Sequence, residues 1–441
     1  MTLVDPVHQG QVVGALACQK DSYLKKLDTE VVACVRAAPP SPSQNRPGKK
    51  KSRANEETST HSDVWLIEFA DSVLFPEGGG QPSDHGIIVP LVEEQEPIPI
   101  LFVQRQGLRC VCYSPKPLDV GTKVRQELDF GRRWDHMQQH TGQHLLSAVL
   151  QSDHQLQTLG WGMGSNGGMN YVDLPSKPSQ EQMQAAQDRC NELIRDNLSI
   201  TVDTPADAKT ERLPGDYDTE NGPVRVISIG GLDRNTCCGT HLAQTSHTSL
   251  ILLHFTQPVH STNTRLFFSV GDRAINASAA SIDAVRRMAK MTGSPNTPAD
   301  VVSSVQKATD TAADLKKQEK RLLSELAKLE GAIARATLES GKNAWVHRTL
   351  GGLEYLNMVA AEAKGVARER GVLVLASGEG QSGGALLIIG LPDAVQDLSA
   401  KAQQIATSVK GGGKGEKWQG KATAWGKGEL ESLKELVTEN S

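Results

Sequence analysis

Residues 134–150 read WDHMQQHTGQHLLSAVL and place two histidines, His140 and His144, four positions apart. Side chains at positions i and i+4 of an α-helix lie on the same face, so the two imidazoles can bind one metal ion together. The apolar residues of this segment recur at helical spacing and predict the buried side of the helix, formed by Leu145, Leu146, Val149 and Leu150. The stretch therefore predicts a helix that carries half of a metal site beside the core.

A second pair of metal-ligand residues lies far downstream, in the sequence CCGTH. Cys237 and His241 repeat the i and i+4 spacing, which a helix or a tight helical turn would place on one face. Imidazole nitrogen and thiolate sulfur are ligands that Zn²⁺ prefers, and two pairs supply the four that tetrahedral coordination needs. We therefore predict one zinc ion per chain, bound by His140, His144, Cys237 and His241.

Two neighbouring residues leave the register of this site open. His136 precedes His140 by four positions, and the alternative to a ligand there is a histidine near the helix start, packed beside Trp134. Cys238 lies three positions before His241 and could replace Cys237. Each pair by itself also occurs in surface and capping positions, so the prediction rests on the two pairs together.

Composition limits the class of protein. The 441 residues are 38% hydrophobic and 22% charged, which predicts substantial cores and two to four domains. No apolar run approaches membrane-spanning length and the N-terminus lacks a signal pattern, so we expect a soluble cytoplasmic protein with no membrane partner. Seven scattered cysteines fit reduced thiols. The net charge of −4 confines RNA binding to local patches.

The N-terminal part of the chain has the pattern of a β-structure. Short apolar runs such as VWLIEF, GIIVPLV and LRCVCYS are separated by glycine and proline, and predict a small β-barrel over residues 1–130. Residues 37–61 are rich in proline, serine and charge without periodicity. They predict a disordered insertion between two strands.

One loop of this β-region is rich in glycine. Residues 74–86 read LFPEGGGQPSDHG, and the three glycines let backbone N–H groups approach a ligand closely. A flexible hairpin loop is the alternative. The flanking polar residues Glu77, Gln81 and Asp84 favour a binding site.

The rest of the chain predicts three further domains, which makes the protein α+β overall. Helices that alternate with antiparallel-type strands predict an α+β domain over residues 131–274, which contains both pairs of ligands. Residues 275–340 predict a helical hairpin or short coiled coil, because apolar residues recur at sevens, fours and threes, at Leu315, Leu322, Leu326, Leu329 and Ile333. Residues 341–441 predict a small α/β domain.

The C-terminal segment GGGKGEKWQGKATAWGKG interleaves lysine with glycine and tryptophan. Lys414, Lys417 and Lys421 together with Trp418 could form a surface that binds phosphate and stacks on bases. A flexible glycine-rich loop with ordinary surface lysines is the alternative.

These motifs in combination resemble one family. HTGQHLL followed by CCGTH, and preceded by LFPEGGGQPSDHG, is similar to the autonomous alanyl-tRNA editing proteins, the AlaX family, which are relatives of the editing domain of alanyl-tRNA synthetase. The stretches ACQKDSYL and WDHMQQHTGQH look closest to the long eukaryotic-type form. The resemblance covers residues 14–274 in order, and the GGGKG tail is similar to the small C-terminal domain of long members.

The resemblance implies a zinc hydrolase that deacylates mischarged Ser-tRNA(Ala) in trans, with Gly-tRNA(Ala) as a further substrate. It implies that residues 131–274 are the editing domain, with the same four zinc ligands, and that the acceptor end of tRNA(Ala) is the partner. The substrate-binding residues would be Gly78, Gly79, Gly80, Gln81, Thr141, Gln157 and Thr158. The sequence nominates no general base, and the segment QTLGWG departs from the commoner synthetase pattern.

Other functions remain open at this stage. A zinc hydrolase could act on Ser-tRNA(Thr) or on another aminoacyl ester. A non-enzymatic module could instead bind tRNA or a protein around a purely structural zinc ion, with the helical arm recruiting the partner. Whichever function holds, the helical or C-terminal region could also mediate self-association. A synthetase is not expected, because the segment before the β-region is too short for an aminoacylation domain.

Overall fold

The chain forms two compact units, 1–284 and 285–441. The structure is a computed structural model that describes residues 10–37, 64–92, 95–205, 208 and 217–439. The predicted insertion at residues 37–61 therefore lies outside the described residues, except for Ala37. The division into four domains stays a prediction. None of the described helices combines the length and the apolar character that crossing a membrane requires.

The first unit begins with a short helix and a strongly curved sheet. The elements are α1 (Ala17–Lys20), β1 (Lys26–Arg36), β2 (Trp65–Phe69), β3 (Gly86–Pro90), β4 (Ile98–Ile100), β5 (Val103–Gln106), β6 (Arg109–Ser114) and β7 (Lys123–Leu128). The strand order is β4-β3-β7-β1-β2-β6-β5. A bulge between Val31 and Ala33 lets the long central strand bend, and the edge strand β4 contacts β6. The seven strands thus form a nearly closed barrel, as the sequence predicts.

The second half of this unit combines helices with two smaller sheets. Its elements are α2 (Phe130–His154), β8 (Gly160–Gly162), β9 (Asn170–Leu174), α3 (Gln180–Arg195), β10 (Ile200–Asp203), β11 (Val226–Ile229), β12 (Asp233–Thr236), β13 (Ile251–Pro258), β14 (Thr264–Val270) and α4 (Gly271–Thr292). The sheets have the orders β13-β14-β9-β8 and β10-β11-β12. The mixed α+β class predicted from the sequence is confirmed.

The helix that carries the two histidines is set by its ends and by one apolar face. The side chain of Asp129 accepts a hydrogen bond from the Arg132 N–H and caps the N-terminus. Gln155, with φ of 58°, ends the helix in the left-handed conformation. As predicted, the fully buried residues include Leu145, Leu146, Val149 and Leu150. They pack with α3 on one face of the four-stranded sheet, so α2 is held against the core along this side.

The second unit is a five-stranded sheet with helices on both faces. Its elements are α5 (Pro298–Glu339), β15 (Ala344–Arg348), α6 (Gly352–Arg370), β16 (Val372–Gly378), β17 (Gly384–Gly390), α7 (Pro392–Ile405), β18 (Val409–Lys414), β19 (Lys417–Ala422) and α8 (Glu429–Glu439). The strand order is β15-β16-β17-β19-β18, with β15 and β16 parallel. Helices α5 and α6 contribute to the core on one face, and α7 and α8 to the core on the other.

The leucine stripe of α5 does not pack as the sequence predicts. Leu315, Leu322, Leu329 and Ile333 are between 59% and 69% exposed, and of the five predicted residues Leu326 alone packs against the core of this unit. The face of α5 that packs on α6 instead includes the small residues Ala327, Gly331 and Ala334. A Cβ at Gly331 would lie 2.5 Å from the Glu362 side chain, so glycine lets the two helices approach closely. Close backbone approach therefore selects the small-residue face for packing within the unit.

Candidate metal and active site

Four ligand-type side chains from distant parts of the first unit meet at one point. The ligand atoms of His140, His144, Cys237 and His241 all lie within 4.8 Å of one another, and all but His144 are buried to below a tenth exposure. The Cys237 Sγ lies 3.4 Å from His140 Nε2 and 3.2 Å from His241 Nε2. Ligands around a tetrahedral Zn²⁺ are about 3.5 Å apart, given metal–ligand bonds of 2.0–2.3 Å. The cluster can therefore hold one metal ion, and its donor set fits zinc.

The two pairs reach this point by different local structures. His140 and His144 stand one turn apart on α2, as predicted. The predicted helical turn at CCGTH is wrong, because residues 237–241 form a loop that follows β12. At Gly239 a Cβ would collide with the His140 ring, so glycine is required for the loop to pass the helix. The equal spacing of the two pairs thus has no common structural cause.

The outer nitrogen of every imidazole has a neighbouring side chain within reach. The Nδ1 atoms pair as His140 with Gln81 Oε1 at 2.9 Å, His144 with Asp233 Oδ2 at 3.3 Å, and His241 with Thr141 Oγ1 at 3.3 Å. Such partners fix the tautomer and the ring orientation of a metal-binding histidine. With a proton held on each Nδ1, the Nε2 atoms are left as ligands for the ion.

The charges of the cluster favour a bound cation. Burial by itself would raise the pKa of the Cys237 thiol, but His140, His241 and His144 lower that pKa well below its ordinary value. Burial likewise opposes the charged form of His144, but the Cys237 thiolate and Asp233 outweigh it and raise the pKa of His144 to about 9, so the proton on its Nε2 marks the place that a bound cation would take. A thiolate is the form of cysteine that binds metal ions. The site therefore holds its sulfur ligand in the form that coordinates metal.

A buried arginine, which the sequence analysis did not single out, holds the CCGTH loop. Arg225 is 3% exposed, and its guanidinium donates to the carbonyls of Cys238 at 2.8 Å, Gly239 at 2.7 Å and Gln19 at 3.0 Å. The Gln19 side chain also donates to the Cys238 carbonyl, at 3.0 Å. These bonds fix the backbone between the two loop ligands. In the sequence PVRVISIG this arginine is indistinguishable from a surface residue.

The cluster borders a cavity of about 410 Å³. His140, His144 and Cys237 line one side, and the polar side chains of the lining include Gln143, Thr158, Asp233 and Asn235. The Thr158 hydroxyl is hydrogen-bonded to Ser147 at 2.7 Å. The cavity therefore places several hydrogen-bonding groups beside the metal ligands.

The glycine-rich loop borders the same cavity. Gly79 is one of the lining residues, and the main chains of Gly78 and Gln81 form two mutual hydrogen bonds of 3.0 Å that close a tight turn. Gly80 has φ of +83°, and a Cβ there would lie 2.8 Å from the Trp161 indole. Trp161 in turn packs on the His140 ring, with 4.7 Å between ring centroids. The loop, the tryptophan and the metal ligand therefore form one packed wall.

Comparison with known proteins decides the family. No family model matches the chain. It is 33% identical to alanyl-tRNA editing protein Aarsd1-B of Xenopus laevis, over 92% of this chain and 94% of that protein. It is 32% identical to the putative alanyl-tRNA editing protein alaX of Saccharomyces cerevisiae, over 97% of each. The chain belongs to the alanyl-tRNA editing protein family. An alanine–tRNA ligase of Haloquadratum walsbyi is 28% identical over 76% of this chain and 36% of the ligase.

The comparisons confirm the resemblance seen in the motifs. Of the predicted substrate-binding residues, the structure places some on the wall of the cavity and others away from it. Thr158 and Gly79 line the cavity. Gln157 is exposed and lies outside the lining residues. Thr141 is fully buried, and its hydroxyl accepts from Leu242 N–H at 3.1 Å and faces His241, so it orients a ligand and does not reach the cavity. Gln81 is buried behind His140 and has the same kind of role.

The predicted RNA-binding residues of the second unit do not share one surface. Lys414, Lys417 and Lys421 are exposed on β18 and β19. Trp418 is only 5% exposed and packs in the core with α7 and α8. The prediction that Trp418 stacks on bases is therefore wrong, because strand alternation turns it to the opposite face of the hairpin from the lysines.

Gln81→Leu is expected to weaken metal binding by about 10- to 100-fold, the usual loss when a ligand's outer partner is removed. The change removes the acceptor for His140 Nδ1 and leaves the Thr240 N–H, which donates to Gln81 at 3.1 Å, without that partner. Competition with a chromophoric chelator measures the affinity. Gln81→Glu keeps an acceptor oxygen and should lose less. Equal affinity of Gln81→Leu and the wild type would contradict this role.

His136 should make stability depend on pH below neutrality. It is 3% exposed, its Nδ1 has no hydrogen-bond partner among the residues that the structure describes, and burial, with a contribution from Arg132, lowers its pKa to about 3. Below pH 6.5 the unfolded chain binds a proton at this residue and the folded chain does not, so stability falls as pH falls from 6.5 towards 3. At pH 5 the cost is about 2 kcal/mol.

The measurement is urea unfolding at pH 7 and pH 5, with saturating zinc at both. His136→Gln should lose less stability between the two pH values than the wild type, by about that 2 kcal/mol. Identical pH dependence of the two proteins would show that another group is responsible.

Proposed function

We propose that this protein is a zinc-dependent deacylase that hydrolyses mischarged Ser-tRNA(Ala) in trans, with Gly-tRNA(Ala) as a further substrate. The observation that carries the proposal is the buried cluster of three histidines and one cysteine that opens on a cavity with the Thr158 hydroxyl on its wall. The relatives that match over more than nine tenths of the chain are named alanyl-tRNA editing proteins, which supports the substrate class. The chain covers 94% and 97% of two of these editing proteins and 36% of the alanine–tRNA ligase, which supports hydrolysis in trans.

The polar wall of the cavity suits a serine side chain. Serine is alanine with a hydroxyl added, and an apolar pocket rejects such an analogue only about 10²-fold, so synthesis alone produces errors. A second site that hydrogen-bonds the hydroxyl can discriminate by about 10⁴–10⁵. Thr158, Gln143 and Asn235 offer such groups beside the ligands. The methyl group of correctly charged Ala-tRNA(Ala) would cover these polar groups without pairing them, whereas glycine has no side chain and leaves room for a water molecule that pairs with them.

The residues of the site would contribute to ester hydrolysis by holding the zinc ion, by fixing its ligands or by binding the substrate. Zinc bound to the three histidines and Cys237 would supply positive charge beside the aminoacyl ester. Gln81, Asp233 and Thr141 fix the imidazoles, and Arg225 fixes the loop that bears Cys237 and His241. His140, His144, Cys237 and His241 would fill the four ligand positions of a tetrahedral zinc ion, so we expect the ion to orient the aminoacyl group or the terminal adenosine. The remaining lining groups would bind the substrate and leave room for the water molecule that attacks the ester carbonyl, so that the bond to the ribose oxygen breaks and the free amino acid and the tRNA hydroxyl are released.

The second unit offers a basic surface for the body of the tRNA. Strand register places Lys410 opposite Lys421 and Lys414 opposite Lys417, so four lysines share one face of the β18–β19 hairpin. Glu416, in the turn, is paired with Arg368 at 2.8 Å. We propose that this face contacts phosphates. The salt dependence of tRNA affinity counts such contacts, because each one releases a counterion.

The test is a deacylation panel with the full chain and purified aminoacyl-tRNAs. Ser-tRNA(Ala) should be hydrolysed, Gly-tRNA(Ala) more slowly, and Ala-tRNA(Ala) spared. Activity on Ser-tRNA(Thr) without activity on Ser-tRNA(Ala) would overturn the choice of tRNA. A wild-type protein that binds zinc and hydrolyses none of them would favour a binding module, and a His140→Ala protein that fails to fold would then mark the zinc as structural.

Thr158→Val should selectively lower activity on the serine substrate. Valine has a similar shape and lacks the hydroxyl, so kcat/KM for Ser-tRNA(Ala) should fall about 10- to 100-fold, the range for a lost hydrogen bond to a buried group. Gly-tRNA(Ala) is the internal control, because it carries no side-chain hydroxyl and its hydrolysis should change little. An equal loss on both substrates would show that Thr158 shapes the cavity and does not read the hydroxyl.

A further inference from the structure

The four-stranded sheet of the first unit has an outer face that carries aromatic side chains. Helices α2 and α3 pack on its other face, where Leu266 and Phe268 lie in the core. Phe267 lies between those two residues along β14 and therefore points outward. Its ring centroid lies 4.8 Å from that of Phe255 on β13 and 6.3 Å from that of Tyr171 on β9. One row of rings thus crosses three neighbouring strands.

Two features leave planar surfaces accessible on this row. A register shift between Leu253 and Thr256 inserts an extra residue in β13, and Phe255 in this bulge is 50% exposed. At the other end, the Arg265 guanidinium lies 3.5 Å over the centre of the Tyr171 ring. Bonds of 2.8 and 2.9 Å to the Asp173 carboxylate hold this planar cation in place. We call Phe255, Phe267, Tyr171 and Arg265 the aromatic row.

The aromatic row adjoins the cavity through the edge strand β8. Gly160 pairs with Asp173 and Gly162 with Tyr171, and neither glycine adds a side chain to the outer face. A Cβ at Gly162 would lie 2.5 Å from the Tyr171 ring, so glycine lets that ring lie across the edge strand. Trp161, between them, points the other way and lines the cavity with Gly160. The outer face of β8 therefore carries no side chain that would stand between the aromatic row and the cavity beside the metal ligands.

We propose that the aromatic row binds the unpaired nucleotides that precede the terminal adenosine of the tRNA, by stacking on their bases. The proposal rests on the proposed function, since the aminoacyl group that enters the cavity is attached to this single strand. Proteins commonly bind single-stranded RNA by stacking its unpaired bases on aromatic rings and on the planar guanidinium groups of arginine. Strands in a sheet lie about 4.8 Å apart, so the row from β13 to β9 spans about 10 Å, and the path from Phe255 to the β8 edge beside the cavity is about 14 Å, enough for a few nucleotides.

Phe255 is the most exposed member of the row, since Phe267, Tyr171 and Arg265 are half-buried. Cross-strand aromatic pairs stabilise sheets by about 0.2–1 kcal/mol each, and this contribution alone does not account for a ring that faces solvent. Phe255 keeps half of its surface in solvent, and it extends the row away from the core. Phe255 lies on β13, at the opposite edge of the sheet from β8 and the cavity, so it is placed to stack on a base a few nucleotides before the terminal adenosine.

The first experiment measures binding of an RNA probe directly. A fluorescein-labelled ACCA tetranucleotide is titrated into the full-length, zinc-loaded protein and followed by anisotropy. Phe255→Leu should weaken binding at least about fivefold, the lower end for one stacked base. Phe255→Tyr keeps the ring and should bind as the wild type does. Phe102→Leu removes another exposed ring, 37% exposed in the β-barrel, and is the matched control that should bind the probe unchanged.

The second experiment separates substrate binding from chemistry. With Ser-tRNA(Ala), Phe255→Leu should raise KM about fivefold or more at unchanged kcat, and it should have a much smaller effect on hydrolysis of 3′-O-seryl-adenosine, which lacks the preceding nucleotides. An equal loss on both substrates, or an unchanged KM together with unchanged probe binding, would overturn the proposal. If the wild type hydrolyses no aminoacyl-tRNA, the proposed function fails, while probe binding by Phe255→Leu still decides on the aromatic row.

Discussion

Cys237→Ser should lose metal affinity by more than about 100-fold and abolish the deacylation proposed here. The serine hydroxyl stays protonated at neutral pH, so the change removes the thiolate from a site where three imidazoles stabilise it. Structural zinc sites bind with about 10–16 kcal/mol, and an equal share among four ligands is about 3 kcal/mol, which corresponds to more than 100-fold in affinity. Metal content by inductively coupled plasma mass spectrometry and chelator competition measure the loss.

Cys238→Ser is the matched control, and it also resolves the register of the CCGTH motif. Cys238 lines the same cavity, and it is not a member of the four-residue cluster. Its pKa is raised to about 11 by burial and by the neighbouring Cys237, so it is a neutral thiol. The variant should keep full metal content. Loss of metal from Cys238→Ser with retention in Cys237→Ser would reverse the assignment of the sulfur ligand.

Asp84→Asn should destabilise the first unit by about 3–5 kcal/mol, the cost of leaving a buried charge without its partner. The side chains of Asp84 and Arg133 are both 0% exposed, and Arg133 Nε donates to both carboxylate oxygens, at 3.0 and 3.1 Å. The pair joins the loop after the three glycines to α2. Arg133 also donates to the carbonyls of Val73 at 2.8 Å and Ser22 at 3.0 Å. Without the Asp84 carboxylate this guanidinium is held less firmly, which loosens the barrel from the ligand helix.

Urea unfolding followed by circular dichroism measures this loss. Asp28→Asn is the control, since Asp28 forms a bidentate ion pair with Arg125 in which both side chains are about half exposed. Exposed pairs contribute little to stability because water solvates both charges. Equal midpoints for Asp84→Asn and the wild type would show that the buried pair does not stabilise the fold.

The glycine-rich loop shows where sequence reasoning misjudged a residue. Asp84 counted there as a polar residue that favoured a binding site, and in the structure its carboxylate is fully buried against Arg133. Thr141 was expected to touch substrate and instead orients His241. Thr141 adjoins the ligand His140 in the sequence, and Asp84 belongs to the glycine-rich segment. Their side chains face inward because buried donors on distant segments need acceptors, and no local pattern reveals such partners.

For the leucine stripe of α5 and for Trp418, the sequence predicted the wrong face of the helix or strand as buried. Heptad spacing predicted that Leu315, Leu322 and Leu329 pack, yet α6 covers the small residues on another face of the helix. Trp418 was expected on a surface and lies in the core. Periodicity identifies the helix or the strand, but the choice of buried face depends on which surfaces fit together.

The sequence by itself determined the elements and the ligand chemistry of this protein. The helical spacing of His140 and His144, the zinc-type donors and the alternating strands are local properties, because they depend on residues a few positions apart. Only the tertiary structure decided that CCGTH is a loop, that Asp233 and Gln81 hold imidazoles, that Arg225 clamps the loop, and that aromatic rings cross three strands. Those contacts join residues far apart in the chain, and they form because burial forces polar groups to find partners and apolar faces to find matching shapes.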